Sequence, residues 1–135
     1  MPACVFCNVV AGGGPGVVSA DDAVVVFLDH RPLFPGHALV VPRVHVEALD
    51  DLPAEDVGPF FLAVQRVSGA VERAMGAGGT FVAINNKVSQ SVPHLHCHVV
   101  PRTKGDGLRG FFWPRQRYSS DAEMARVADA IRREL

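Results

Sequence analysis

The stretch His94-Leu95-His96-Cys97-His98-Val99-Val100-Pro101-Arg102 carries three histidines at alternate positions of an otherwise apolar run. Successive side chains of a β-strand point to opposite faces, so the three imidazoles would share one face and Leu95, Cys97 and Val99 the other. A row of imidazoles is costly to charge and contributes little to packing. The stretch therefore predicts a functional strand over residues 92–100, which serves either a metal ion or nucleophilic and proton-transfer chemistry.

The composition narrows the class of protein. The chain has 135 residues, a length that predicts one domain over residues 1–135. Its formal net charge of -1 argues against nucleic acid as a partner. The basic run at residues 109–117 is interpreted as surface, and the aromatic cluster at residues 111–113 as packing. The absence of a long apolar run and of a leader-like N-terminus predicts a cytoplasmic protein without a membrane partner.

Three cysteines are present, and two of them form the pair Cys4-x-x-Cys7. In a reducing compartment such a pair is either half of a metal site or a redox motif. A redox pair is expected after a strand and at the head of a helix. Here a short apolar run and the glycine-rich residues 11–16 follow the pair instead, and this context favours a metal site.

Apolar periodicity predicts an α+β fold, with an antiparallel sheet of about five strands, one long helix and a C-terminal helix. Residues 5–10 are predicted as a turn of helix or a short strand. The helices are expected over residues 54–75, capped by Asp50 or Asp51, and over residues 122–135, capped by Asp121. The strands are expected over residues 17–20, 23–28, 37–41, 80–84 and 92–100.

Polar residues follow or precede these strands, and they would converge if the strands share one sheet. They are Asp29, His37, Asn85, Gln90 and Ser91. Together with the histidine row they would combine a carboxylate, neutral hydrogen-bond donors and a nucleophilic imidazole. Such donors suit the equatorial oxygens of a transferring phosphoryl group. No acidic pair spaced for Mg²⁺ accompanies them, which favours nucleophilic over two-metal chemistry.

The histidine stretch resembles the H-φ-H-φ-H-φ-φ signature of the histidine triad (HIT) family of nucleotide hydrolases and transferases, where φ is an apolar residue. Gln90-Ser91-Val92 before it and Pro101-Arg102 after it match as well. Further segments are similar to the family's in the same order, so the resemblance covers nearly the whole chain. These segments are Cys4-Val5-Phe6-Cys7, Val26-Phe27-Leu28-Asp29 and residues 35–46.

The resemblance implies a role for each residue of the site. His96 would be the nucleophile that takes the α-phosphate of a nucleotide as a covalent nucleotidyl-histidine. The other catalytic residues would be His98 on the phosphate and scissile atom, His37 completing the cluster, and Ser91 donating to the leaving group. The nucleotide-binding residues would be Asp29 on the ribose hydroxyls, Gln90 and Asn85 at the phosphate, and Val5, Phe6, Val9, Phe27 and His30 around the base.

A zinc-containing subset of the family uses two N-terminal cysteines and two histidines for structural zinc. The matching residues are Cys4, Cys7, His45 and His94, a set that can close a tetrahedral site. The resemblance further implies a homodimer in which the long helix packs against its mate and the two sheets join.

Two positions depart from the family pattern. His30 stands where an aliphatic residue usually helps to wall the base. The turn over residues 85–90 is short and has Ser89 where glycine is usual, so Asn86 competes with Asn85 for the phosphate site.

The leading interpretation is an enzyme that acts at the α-phosphate of purine nucleoside phosphoramidates or related nucleotides. The alternatives are a dinucleoside polyphosphate hydrolase, a nucleotide-binding interaction module with vestigial turnover, and a metalloenzyme with all three histidines of the row on a catalytic zinc.

Overall fold

A computed structural model describes residues 4–108 and 115–135 of the chain. The helices are α1 (Val5–Gly12), α2 (Ala54–Met75) and α3 (Asp121–Glu134), with a 3-10 turn at Leu49–Asp51. The strands are β1 (Val17–Ala20), β2 (Val24–Leu28), β3 (Ala38–Pro42), β4 (Gly79–Ala83) and β5 (Cys97–Arg102). They form one sheet in the order β1-β2-β3-β5-β4, in which every neighbouring pair is antiparallel. The predicted α+β class with five antiparallel strands is confirmed.

Both faces of the central strands are covered. On one face α2 packs through Phe60, Ala63 and Val64 against a cluster that contains Leu95, Cys97 and Val99. On the other face α1 packs through Phe6 against a second cluster, which consists of Val25, Phe27, Leu39 and Val41. Alternate residues of β2 therefore belong to two different cores. Of the two predicted structures for residues 5–10, a turn of helix or a short strand, the structure has the helix.

The histidine strand is shorter than the predicted range of residues 92–100, because β5 begins only at Cys97. Residues 94–96 precede the strand without belonging to it. Even so, Leu95 and Cys97 are fully buried in the α2 core while the three imidazoles lie away from it. The predicted division of faces is correct. The predicted strand start is wrong, since the main chain at Leu95 donates to the carbonyl of Val46, outside the sheet.

The long helix has the predicted bounds, but its cap differs. Pro53 occupies the N-cap of α2, and the Asp51 carboxylate accepts the Ala48 N–H at 3.2 Å in the preceding 3-10 turn. The helix ends at Gly76, which takes a left-handed conformation with φ 60°. The predicted Asp50 or Asp51 cap is therefore wrong, because these residues form a separate turn.

The C-terminal helix begins one residue earlier than predicted. Ser120 caps α3 by accepting the Glu123 N–H, so Asp121 is its first residue and not its cap. All residues of α3 are described, and each keeps part of its surface exposed. Residues 109–114, with most of the predicted basic run and the aromatic cluster, lie outside the described residues. Among the described helices, none is long and apolar enough to cross a bilayer.

Candidate active site

The ring of His96 is oriented by the main chain just before it. Its Nδ1 lies 2.7 Å from the carbonyl oxygen of His94. A carbonyl only accepts hydrogen bonds, so Nδ1 of His96 carries a proton, and in the neutral ring Nε2 is the nitrogen with the lone pair. The ring is 2% exposed and packs edge-on against Phe6, with centroids 4.9 Å apart. The ring of His96 is thus fixed in orientation, and Nε2 is the nitrogen that could act on an electrophile.

His98 and His37 form the second part of the histidine cluster. The rings of His96 and His98 lie 4.9 Å apart, and Nδ1 of His98 lies 2.9 Å from Nε2 of His37. The main-chain N–H of Leu33 donates to Nδ1 of His37 at 3.1 Å. Two strands therefore bring the imidazoles together, since His37 directly precedes β3 and His98 lies in β5, its neighbour.

Burial keeps these two imidazoles uncharged. Desolvation lowers the pKa of His37 despite the opposing effect of the Asp29 carboxylate. Desolvation, with the neighbouring His96 and His37, lowers the pKa of His98 to about 4. Asp29, His37 and His96 are the titratable groups that face His98. At neutral pH His98 is therefore a neutral ring that can donate a hydrogen bond without carrying charge.

This burial predicts a pH dependence of stability. Between pH 6.5 and about 4 the unfolded chain binds a proton at His98 that the folded chain does not, so the free energy of unfolding falls as the pH falls through this window. The measurement is urea unfolding at several pH values, with chelator in every sample, for the wild type and for His98→Asn. The difference in stability between the two proteins should shift against the wild type as the pH falls. A difference that stays constant would contradict the prediction.

Asp29 lies at the end of β2, beside the cluster. One carboxylate oxygen accepts the Arg31 N–H at 2.9 Å, and the other lies 3.8 Å from Nε2 of His37. A cavity of about 650 Å³ opens next to Asp29, His37 and His98. Its other lining residues are Arg31, Leu33, Phe81, Val82, Ala83, Ile84, Asn85, Val100, Arg102 and Leu108. A substrate of nucleotide size therefore has room against Asp29, Asn85 and His98, whereas His96, Gln90 and Ser91 are not among the residues that line this cavity.

The loop before β5 separates the two competing asparagines. Asn85 lines the cavity, whereas the side-chain oxygen of Asn86 accepts the Leu49 N–H at 2.8 Å. Gln90 braces the loop, because its amide accepts from Lys87 N–H at 2.8 Å and donates to the Glu47 carbonyl at 2.7 Å. This geometry favours Asn85 as the phosphate residue and engages both ends of the Gln90 side chain. Ser91 is exposed in the same loop, and its role stays a prediction.

The loop also holds two residues in an unusual backbone conformation. Lys87 and Ser89 have φ of 70° and 61°. For residues other than glycine, this left-handed conformation costs roughly 1 kcal/mol of conformational free energy per residue. Ser89, at the position where the resemblance leads us to expect glycine, thus takes a left-handed conformation, and the Gln90 side-chain oxygen accepts the Lys87 N–H within the same turn.

Three of the residues predicted to surround the base, Phe6, Val9 and Phe27, pack together on the α1 side of the sheet. Phe6 and Phe27 pack edge to face with centroids 5.3 Å apart, and Val9 packs against them. Val5 is 58% exposed, and the His30 side chain is 88% exposed next to Asp29. Phe6 and Phe27 are therefore buried while Val5 and His30 are exposed, and none of the five residues predicted to surround the base lines the cavity beside Asp29. Their contact with a base stays a prediction.

The four predicted metal ligands meet at the N-terminus of α1. Nδ1 of His94 lies 3.5 Å from the sulfur atoms of both Cys4 and Cys7, and Nδ1 of His45 lies 3.2 Å from that of Cys7. Ligand atoms of a tetrahedral zinc site with Cys and His ligands lie about 3.5 Å apart. Nε2 of His94 donates to the Pro42 carbonyl at 2.9 Å, so Nδ1 presents its lone pair to the thiols. These residues could hold a metal ion.

A second group with metal-ligand residue types consists of Asp29, His37 and His98. The hydrogen bonds argue against an ion there. Because Leu33 N–H donates to Nδ1 of His37, a neutral His37 carries its proton on Nε2, the nitrogen that would have to coordinate. The structure also turns His94 toward the cysteines and away from this group, so a single ion held by all three histidines of the row does not fit.

Some contributors to the site are not apparent in the sequence. The main-chain atoms of Leu33, Pro42 and His94 orient three of the rings, and no side-chain pattern indicates a main-chain partner. Arg31 and Arg102 reach the cavity as well. Arg102 is bound to the Asp106 carboxylate at 2.7 and 3.2 Å, a pairing that the turn residues 104–107 could have indicated.

Two relatives illustrate the sequence similarity. An uncharacterised HIT-like protein of Saccharolobus solfataricus is 41% identical over 123 residues, which cover 87% of this chain and 88% of the relative. An adenylylsulfatase of Arabidopsis thaliana is 30% identical over 140 residues, which cover 98% of this chain and 69% of the relative.

Solved structures show the same fold. A HIT family protein from Bacillus subtilis superposes with a TM-score of 0.89 at 30% identity, covering 98% of this chain and 96% of that chain. A zinc-bound histidine triad protein from Mycobacterium smegmatis has a TM-score of 0.73 at 34% identity, covering 95% and 97%. The family profile described as HIT domain matches residues 15–105. The chain therefore belongs to the HIT domain family.

Proposed function

We propose that the protein is a nucleotide hydrolase or nucleotidyl transferase that acts at the α-phosphate of purine nucleoside phosphoramidates or related nucleotides. One observation carries the proposal. The His94 carbonyl holds a proton of His96 on Nδ1, so Nε2 is the nucleophilic nitrogen of the neutral, buried ring, which lies beside the neutral ring of His98. This is the state that a nucleophilic histidine requires. The adenylylsulfatase among the relatives supports a reaction at a nucleotide phosphate.

The reaction would proceed in two displacements. The Nε2 lone pair of His96 forms a bond to the α-phosphorus, and the bond to the leaving nitrogen or oxygen breaks with its electron pair on the leaving atom. That atom takes up one proton, from the Ser91 hydroxyl or from solvent. Water then attacks the same phosphorus, which releases the nucleoside monophosphate and restores the imidazole. Overall one water is consumed, with its hydroxyl on phosphorus and its proton on the leaving group.

Neighbouring residues would stabilise the transition state. Neutral His98 and the Asn85 amide donate hydrogen bonds to phosphoryl oxygens, where negative charge accumulates. The Nδ1–H bond to the His94 carbonyl stabilises the positive charge that develops on His96 when it bonds phosphorus. Asp29 would accept hydrogen bonds from the ribose hydroxyls at the mouth of the cavity.

We further propose that Cys4, Cys7, His45 and His94 bind a structural zinc ion. The donor set is closed, because two thiolates and two imidazoles fill a tetrahedral site and leave no position for substrate. The zinc-bound relative from M. smegmatis supports this assignment. Bound zinc would cross-link α1 to the segment that carries His96, and it would take no part in the phosphorus chemistry.

We also propose a homodimer. The outer side of α2 leaves Val57, Phe61 and Leu62 between 38% and 56% exposed. The neighbouring β4 is an edge strand, with Val82 43% exposed. An apolar helix side next to an open strand edge suits a two-fold contact between copies of the chain. Sedimentation equilibrium at micromolar concentration should give twice the chain mass of 14.5 kDa.

Turnover of adenosine phosphoramidate tests the proposed reaction. We expect release of adenosine monophosphate, and a nucleotidyl adduct on the chain when the reaction is quenched with acid-free denaturant and analysed by intact mass. A diadenosine polyphosphate assayed in parallel separates the alternative substrate class. A folded protein that binds adenosine monophosphate but turns over neither compound would contradict the proposal and favour a binding module.

A further inference from the structure

The loop between β2 and β3 folds its main chain around the ring of His37. Asp29 N–H donates to the His37 carbonyl at 2.9 Å, and His37 N–H donates to the Phe34 carbonyl at 3.0 Å. Within this closed loop the Leu33 N–H donates to Nδ1 of the His37 ring at 3.1 Å. His37 itself is 4% exposed. The position of the ring and the donor that faces it are therefore both built into the main chain.

The Leu33 N–H determines which ring nitrogens of His37 and His98 carry their protons. A main-chain N–H can only donate, so Nδ1 of His37 must be the unprotonated nitrogen, and a neutral ring then carries its proton on Nε2. That nitrogen lies 2.9 Å from Nδ1 of His98, which must accept. The proton of neutral His98 is thus on its own Nε2, the nitrogen that His37 leaves free for a ligand.

We propose that the main-chain N–H of Leu33 sets the proton positions of His37 and His98, and thereby makes His98 a hydrogen-bond donor to the bound phosphate or scissile atom. The inference rests on the proposed reaction for its functional half. It involves no proton transfer, because both rings keep their protons throughout. Leu33 acts as a positioning residue through an atom that every residue except proline possesses.

The reverse arrangement shows why the amide matters. If His98 donated from Nδ1 to Nε2 of His37, the proton of His37 would move to Nδ1 and face the Leu33 N–H, two donors 3.1 Å apart. A buried donor without an acceptor disfavours that arrangement by roughly tenfold or more. The Asp29 carboxylate is the other influence, since one oxygen lies 3.8 Å from Nε2 of His37. Variants can separate the two causes.

Nuclear magnetic resonance of the wild type tests the first half without substrate. In ¹⁵N-labelled protein at neutral pH, we expect His37 and His98 to be protonated on Nε2. We also expect nitrogen–nitrogen scalar couplings across the hydrogen bonds from Leu33 to His37 and from His37 to His98. A His37 ring protonated on Nδ1 would overturn the proposal outright.

Leu33→Pro removes the N–H, and Leu33→Ala is the matched control that removes the side chain and keeps it. In Leu33→Pro the Nε2–H form of His98 should fall from about nine-tenths or more toward one-half, and kcat/KM for adenosine phosphoramidate should fall by the same factor, about twofold. In Leu33→Ala the proton positions should match the wild type. Should Leu33→Pro not fold, an ester in place of the Leu33 amide removes the same hydrogen without the proline ring.

Each other outcome has a defined meaning. Wild-type proton positions in Leu33→Pro, or a shift caused by Asp29→Asn instead, would contradict control by the Leu33 amide. A shift of the protons without a loss of kcat/KM would contradict the use of His98 as a donor. Because the spectra are recorded without substrate, predicted proton positions in a protein without turnover would count against the proposed function and leave the role of the amide standing.

Discussion

Replacement of His96 by alanine should lower the turnover of adenosine phosphoramidate by roughly 10⁴-fold or more and remove the nucleotidyl adduct. The imidazole is the group proposed to bond phosphorus, and no other unprotonated ring nitrogen in the described cluster replaces it. Nε2 of His98 carries a proton, and Nδ1 of His94 faces the thiols. Loss of a nucleophile has effects of this size in enzymes with covalent intermediates.

His98→Asn is the matched comparison. Its amide can still donate a hydrogen bond, and removal of one transition-state donor changes rates by about 10²- to 10³-fold at most. We therefore expect slower turnover with a detectable adduct. Both variants should bind adenosine monophosphate and unfold cooperatively. Turnover by His96→Ala within tenfold of the wild type would exclude nucleophilic catalysis by this residue.

Cys7→Ser should lose the proposed zinc ion and, with it, much of the protein's stability. Structural zinc sites contribute about 10 kcal/mol or more of apparent binding free energy at neutral pH, and this becomes folding free energy when the unfolded chain has no preformed site. Cys7 contacts both imidazoles of the group, so its replacement removes the central ligand. Zinc content by mass spectrometry, together with urea unfolding, measures both effects.

Cys97→Ala is the control for cysteine loss, because Cys97 is fully buried in the α2 core, outside the group of metal ligands. It should keep one zinc per chain and lose stability only through packing. His96→Ala should keep zinc as well. Zinc retained by Cys7→Ser but lost by His96→Ala would reverse the assignment and favour a catalytic metal.

The sequence predicted the sheet, the long helix and the two functional groupings because each has a side-chain signal. Alternation along residues 94–100 indicated which faces are buried, and apolar spacing along α2 indicated its length. The predicted strand start and helix cap were wrong because main-chain geometry, which has no side-chain signal, determines both. The histidine stretch leaves the sheet before Cys97, and Pro53 takes the cap that aspartates usually fill.

The sequence indicated that two groups of candidate residues would come together, but not the hydrogen bonds within them. The resemblance predicted that Cys4, Cys7, His45 and His94 form one group, and their ligand atoms lie close together in the structure. The structure favours Asn85 over Asn86, because the Asn86 side-chain oxygen accepts the Leu49 N–H, a contact that the sequence does not indicate. Which nitrogen of each ring carries the proton depends on contacts across the fold, which no local pattern encodes.

The main-chain partners of the histidines affect what substitution experiments can detect. The carbonyls of His94 and Pro42 and the amide of Leu33 orient the rings of His96, His94 and His37. Alanine at positions 33 or 42 leaves these atoms in place. A saturation mutagenesis map would therefore mark the histidines as intolerant and score Leu33 as permissive. Much of the information that orients this cluster would stay invisible to any survey that varies side chains alone.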